Sequence, residues 1–192
     1  KYINGHSDVV GGAVLARDPA LVEELAWWAN CCGLTGSPFD SFQTLRGLRT
    51  LSVRYRQHER NAARVAEFLN QHPLVGRVYY PGLEDHPGHG LAARQQESFG
   101  AMISFELDAE TSEIRRFLEN LRLFTLAESL GGVESLVAHP ATMTHAAMPE
   151  EDQQTAGISS GLLRLSIGIE HADDLLDDLQ NALAAIGDSR QA

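Results

Sequence analysis

No run of apolar residues in this 192-residue chain approaches the roughly 20 that a membrane-spanning helix needs. No basic region followed by an apolar stretch stands at the N-terminus, so neither a secretory signal nor a membrane partner is expected. Cysteine is nearly absent. The two that occur, Cys31 and Cys32, are adjacent, and neighbours in sequence rarely meet the geometry of a disulfide. With no signal visible, this points to a reducing, cytoplasmic setting. Positive charge is also scarce: 15 Lys and Arg stand against 26 Asp and Glu, for a formal net charge of −11. Such a surface repels phosphates, so a nucleic-acid partner is not expected. There is no internal repeat and no low-complexity segment. What remains is 43% hydrophobic and 21% charged, the balance of a soluble globular chain long enough to bury a sizeable core as one large domain or two small ones.

The chain begins abruptly at Lys1-Tyr-Ile-Asn-Gly5, which reads as a cut through the middle of a larger protein. Residues 9–16 form a short apolar run expected as a strand, with Gly11-Gly12 permitting close backbone approach. Asp18-Pro19 is a helix-start signature, and residues 19–30 read as helix. Gly33, Gly36 and Pro38 mark a loop. Residues 39–72 hold few breakers and fit one or two long helices that end before Pro73. This connector is the candidate domain boundary, near residue 60. Arg46, Arg49, Arg54, Arg56 and Arg60 fall on it and read as a solvated face or a subunit contact. Beyond it, strands are expected at 75–80, 101–107, 123–126, 134–139 and 162–169, and helices at 110–121 and 172–186. The last helix would turn Leu175, Leu176, Leu179, Leu183 and Ile186 inward. Strands interleaved with helices give an α+β domain with helices on one sheet face.

Several local signals have ordinary explanations. His6-Ser7-Asp8 contains the letters of a hydrolase triad, but the fold, not sequence adjacency, assembles a triad. His86 and His89 lack further ligands at metal-binding spacing, so a surface loop is expected and no metal site. Glu128-Ser-Leu-Gly-Gly-Val-Glu-Ser135 sets small, permissive and polar residues between two apolar runs. It is either a plain turn or a backbone that presents Glu128 and Ser129 to a ligand. Arg164 lies inside the apolar run Leu162-Leu-Arg-Leu-Ser-Ile167, where its guanidinium must meet an anion. That anion is either a protein carboxylate or a substrate carboxylate, and the pattern leaves both open.

At these residues a family resemblance emerges. Lys1-Tyr-Ile-Asn-Gly-His-Ser-Asp-Val-Val-Gly-Gly12 resembles the segment of the Cys/Met-metabolism enzymes, dependent on pyridoxal 5′-phosphate (PLP), that begins at the cofactor lysine. Five further segments are similar in the same order. They are Phe39-Asp-Ser41 with Leu45-Arg-Gly-Leu-Arg-Thr-Leu51, His72-Pro-Leu-Val75 with Tyr80-Pro-Gly-Leu83, Ala93-Arg-Gln-Gln96 with Phe99-Gly-Ala-Met102, the stretch Leu123 to Leu136, and Leu163-Arg-Leu-Ser-Ile-Gly-Ile-Glu170. Within the family, Ala26-Trp-Trp-Ala-Asn30, Gly33-Leu-Thr-Gly36 and Ala141-Thr-Met-Thr-His145 look most like the bacterial cystathionine γ-synthase branch. The His86–His89 loop is also similar to γ-lyases.

The resemblance implies a fold-type I, aminotransferase-like architecture, combining α/β and α+β parts. Residues 1–60 would end the large PLP-binding domain and 61–192 would form the small C-terminal α+β domain. Lys1 would be the catalytic and cofactor-binding lysine. Arg164 would clamp the substrate α-carboxylate, with Ser129 beside it and Glu128 near the outer end of the substrate site. The implied reaction is γ-replacement: O-succinyl-L-homoserine and L-cysteine give L-cystathionine and succinate. A γ-lyase, an O-acyl-homoserine sulfhydrylase and an inactive fragment serving as a binding module stay open beside it. Partners would be small amino-acid substrates and further copies of the chain in a homotetramer. The family's phosphate-binding, ring-stacking and pyridinium-pairing residues precede the lysine, so this chain alone is expected to be inactive.

Overall fold

The computed structural model describes residues 1–190, with side chains through residue 186. Local chemistry sets the first two helices. The Asp18 carboxylate accepts from the Ala20 N–H at 2.9 Å and starts α1, Pro19–Cys31. Ser37 caps α2, Pro38–Gln71, through the Asp40 N–H at 3.0 Å. At 34 residues α2 is about 51 Å long. It stops where expected, at His72, because Pro73 cannot follow a helical residue.

The rest of the chain builds one open sheet. The strands are β1 (Val75–Tyr79), β2 (Met102–Leu107), β3 (Thr125–Leu126), β4 (Leu136–Ala138) and β5 (Leu162–Ser166), in the order β1-β2-β5-β4-β3. Pairings are antiparallel except β3 with β4. The remaining helices are α3 (His89–Gln95), α4 (Thr111–Asn120), α5 (Glu150–Thr155) and α6 (Ala172–Arg190), with a 3-10 turn at Pro140–Thr142. Strand alternation buries Ile103, Phe105 and Leu107 of β2 and Leu163 and Leu165 of β5. They meet Ile114 and Phe117 of α4 and Leu175, Leu179, Leu183 and Ile186 of α6. The second half of α2 joins this core through Ala62, Val65, Ala66 and Leu69, a clean i, i+3, i+4, i+7 stripe. The chain is thus a mixed α/β structure. The opposite set of strand residues, Met102, Ser104, Glu106, Leu162 and Arg164, is only half-buried, and the site develops there.

Three expectations need correction. Residues 9–16 form no strand: Val10 is 98% and Leu15 89% exposed, and no described strand lies beside them to complete a ladder. The strand expected over 162–169 ends at Ser166. Beyond it side chains take the backbone groups: the Ile167 carbonyl accepts from His58, the Gly168 N–H donates to Ser135, and the Gly168 carbonyl accepts from Asn61. Leu176 is half-buried rather than in the core. A boundary near residue 60 remains a proposal, since α2 runs unbroken through it. Burial does change along that helix. Phe39, Phe42, Leu45 and Leu48 are exposed, as are Leu21, Val22, Trp27 and Trp28 of α1, whereas Ala62, Val65, Ala66 and Leu69 of α2 turn into the core.

Candidate active site

Arg164 sits in mid-sheet. Register places it between Ser104 of β2 and Ala138 of β4, two small neighbours that leave room for a guanidinium on the open face. Its Nη2 donates to the Glu128 and Ser129 carbonyls, at 3.3 Å each. Among the described residues no carboxylate lies within ion-pair distance of it. Of the two anions left open by the sequence, the protein carboxylate is therefore not found.

The carbonyls that meet Arg164 belong to the β3–β4 connection, and the same connection seats Lys1. Gly131 has φ +78°, a conformation that favours glycine. A Cβ there would lie 2.7 Å from the Tyr2 nitrogen and 2.9 Å from the Lys1 Cα, so only glycine lets the two segments touch. The Gly131 N–H donates to Ser166 Oγ at 2.8 Å, and the Val133 N–H to the Gly5 carbonyl at 3.0 Å. Ser135 Oγ accepts from the Gly168 N–H at 2.8 Å and donates to Glu170 at 2.9 Å, while Glu170 accepts from the Ser135 N–H at 2.6 Å. The connection is thus tied to β5 and to the Lys1 segment at once. Lys1, Glu128, Ser129 and Arg164 converge around it. The side chains of Lys1, Glu128 and Ser129 are exposed and Arg164 is half-buried.

Beneath Lys1 lies a plug of aromatic rings. Tyr2 meets Tyr55 and His58 edge to face, with centroids 5.2 Å apart in both pairs. Burial, with the neighbouring Tyr55, pushes the Tyr2 phenol up to about 12. His58 is wholly buried and donates through Nδ1 to the Ile167 carbonyl at 2.6 Å. Burial holds it below the ordinary histidine range, so it is neutral, with the Nδ1–H tautomer fixed by that carbonyl.

Other signals dissolve. His6 turns to the Asn4 carbonyl, Ser7 to Glu134, and Asp8 to Asn4 and Gln43, so His6-Ser7-Asp8 is no triad. His86 accepts from the Gly88 N–H and His89 donates to the Pro81 carbonyl. Among the described residues no group of three or more His, Cys, Asp or Glu is arranged for a metal. The arginine stretch is corrected at one place: Arg54 is buried, 6% exposed, and is no part of a solvated face. The sequence reading missed Arg54 because its helical spacing resembles that of its exposed neighbours, and it missed His58 and the contact of Gly131 with Lys1 because their partners are distant in the chain.

The exposed Lys1 amine on a clamped backbone suits an aldehyde cofactor, which a primary amine captures. The unpaired Arg164 beside it suits a carboxylate substrate. The pattern of the Cys/Met metabolism PLP-dependent enzyme family matches residues 1–184. The chain belongs to this family of pyridoxal-phosphate enzymes and shares their fold-type I structure. Among its relatives, the cystathionine gamma-synthase of Escherichia coli (strain K12) is 58% identical over 185 residues, 96% of this chain and 48% of the relative. The cystathionine beta-lyase of Coxiella burnetii is 52% identical over 184 residues, 95% of this chain and 48% of the relative. A crystal structure of cystathionine gamma synthase from Xanthomonas oryzae pv. oryzae, in complex with aminoacrylate and cysteine, superposes with TM-score 0.94 at 64% identity. It covers 98% of this chain and 49% of that one. The chain spans about half the length of the curated relatives it matches.

Proposed function

We propose that this chain supplies the cofactor lysine and the substrate-carboxylate clamp of a PLP enzyme that converts O-succinyl-L-homoserine and L-cysteine into L-cystathionine and succinate. The observation that carries the reading is the unpaired Arg164 guanidinium, held on the open sheet face by the connection that also seats Lys1. Two γ-synthase relatives, at 58% and 64% identity against 52% for the β-lyase, support synthesis as the first reading to test.

When bound, pyridoxal phosphate supplies an electron sink for the negative charge that develops at a substrate carbon as its C–H bond breaks. Lys1 holds it through the side-chain amine, and that amine, once released, takes and returns protons at the substrate carbons. Arg164 grips the substrate α-carboxylate in a two-point clamp and so fixes the direction of the Cα–H bond. The Ser129 hydroxyl stands beside that carboxylate. The Glu128 carboxylate, at the outer end of the site, recognises the amino group of the second amino acid. Residues 1–60 end a large cofactor domain, and the exposed apolar face of α1 and early α2 is the surface that the rest of that domain covers. The whole protein acts as a cytoplasmic homotetramer.

The test is product analysis on the whole protein loaded with pyridoxal phosphate. O-succinyl-L-homoserine with L-cysteine should give L-cystathionine and succinate in equal amounts. Cleavage of L-cystathionine at a higher kcat/KM than its synthesis would replace the reading with a lyase, and preference for sulfide over L-cysteine with a sulfhydrylase.

A further inference from the structure

We propose that Arg54 is a positioning residue for Lys1: its buried guanidinium gathers the backbone carbonyls that follow Lys1 and so fixes where the Lys1 amine stands. The inference rests on the reading of Lys1 given above. Arg54 is 6% exposed, yet no carboxylate lies within ion-pair distance of it among the described residues. A buried charge without a counter-ion is costly unless its donors are met in full. Here they are met almost wholly by backbone. Nη1 donates to the Tyr2 carbonyl at 3.1 Å, and Nη2 to the Gly47 carbonyl at 2.8 Å. Nη2 also reaches the Ile3 and Asn4 carbonyls at 3.5 Å each, and Nε donates to Thr50 Oγ1 at 3.1 Å.

The three carbonyls of Tyr2, Ile3 and Asn4 are successive, and successive carbonyls converge only in a tight turn. The Gly5 N–H closes that turn on the Lys1 carbonyl at 2.9 Å. Two glycines make the close approach possible. At Gly5, with φ +80°, a Cβ would overlap Arg54 Nη1, and at Gly47 a Cβ would overlap the Asn4 carbonyl oxygen. From the other side Gly131 presses on the Lys1 Cα and the Tyr2 nitrogen. The turn carrying Lys1 is thereby wedged between α2 and the connection that meets Arg164. A lysine in place of Arg54 keeps the charge but lacks the planar fork that spans carbonyls on both α2 and the turn.

The experiment compares the whole protein with its Arg54→Lys, Arg54→Met and Gly47→Ala variants, the last displacing Asn4 while leaving the guanidinium in place. Five quantities are read on each: the fraction of Lys1 carrying a pyridoxyl group after borohydride reduction, the visible circular dichroism per bound cofactor, kcat, KM, and the melting temperature. A misplacement of about 1 Å costs on the order of a hundredfold in rate. Arg54→Lys should therefore still be labelled at Lys1, with kcat about a hundredfold lower and KM within about twofold of the wild type. Its dichroism should be weakened. Arg54→Met should be worse, so that lysine gives partial rescue, and Gly47→Ala should shift kcat and dichroism the same way. Unchanged kcat per loaded site and unchanged dichroism beside a lowered melting temperature would overturn the proposal and leave Arg54 a structural brace. A raised KM at constant kcat would overturn it too, by placing Arg54 in substrate binding. A wild-type protein labelled elsewhere than Lys1 would instead sink the reading on which the proposal rests.

Discussion

Replacing Arg164 by lysine separates catalysis from folding more sharply than any other change in this chain. In the folded protein only Nη2 is engaged, by the Glu128 and Ser129 carbonyls at 3.3 Å each. Both residues are exposed, so water can replace the donor at a cost to folding of less than about 1 kcal/mol. The rest of the guanidinium has no hydrogen-bond partner among the described residues, and in the proposed site it meets the substrate carboxylate. Arg164→Lys turns a two-point charged contact into a one-point contact. The expected loss is about 3 kcal/mol, or a hundredfold in kcat/KM for O-succinyl-L-homoserine. Arg164→Ala should lose more, because the substrate carboxylate then enters the site without its charged partner. The assay is steady-state kinetics and thermal melting on the same variants of the whole protein, each checked for cofactor content. Near-normal kcat/KM beside a large drop in melting temperature would refute the reasoning and make Arg164 a structural residue.

Further outcomes follow from other contacts. His58 is buried neutral, so its folded pKa lies below the unfolded value of about 6.5. Its contribution to stability is complete above that pH and is lost as the pH falls through it toward the folded value. His58→Gln should flatten this acid-side slope of melting temperature against pH; an unchanged slope would exonerate His58. Gly131→Ala should cost about 1–3 kcal/mol, from the left-handed backbone and the contact with Lys1, and should lower the labelling of Lys1; wild-type labelling and melting would contradict the close packing. Asp178 is buried, and its carboxylate accepts from the N–H groups of Arg122, Leu123 and Phe124 at 2.8, 2.8 and 3.2 Å. Asp178→Ala should cost about 2–4 kcal/mol by denaturant melts without altering kcat per folded site.

The parts of the fold that periodicity governs were readable from the chain. The inward stripe of α6 at Leu175, Leu179, Leu183 and Ile186 needed only spacing, and Asp18 announced α1 by side-chain chemistry, whereas Pro38, read as part of a loop, opens α2 behind the Ser37 cap. The segment 9–16 failed that test because an apolar run says nothing of whether a neighbouring strand exists; among the described residues Val10 and Leu15 have none. Strand β5 came out shorter than its apolar run because partners distant in sequence meet the backbone beyond Ser166: the side chains of His58, Asn61 and Ser135 at Ile167 and Gly168, and the Val133 carbonyl at the Ile169 N–H. At the candidate site the residue types were legible: an arginine in an apolar strand and a glycine pair between polar residues. Their partners were not. Nothing in the spacing says that Gly131 touches Lys1, or that Arg54, alone among six arginines on one helix, turns inward to the same segment.

The proposed chemistry turns on the amine of Lys1. The whole protein, loaded with pyridoxal phosphate, should be reduced with borohydride, digested and mapped by mass. A single pyridoxyl group is expected on the peptide that carries Lys1, in wild type and in Arg164→Lys alike. A pyridoxyl group on any other lysine, or none on a protein that folds and binds the cofactor, would contradict it.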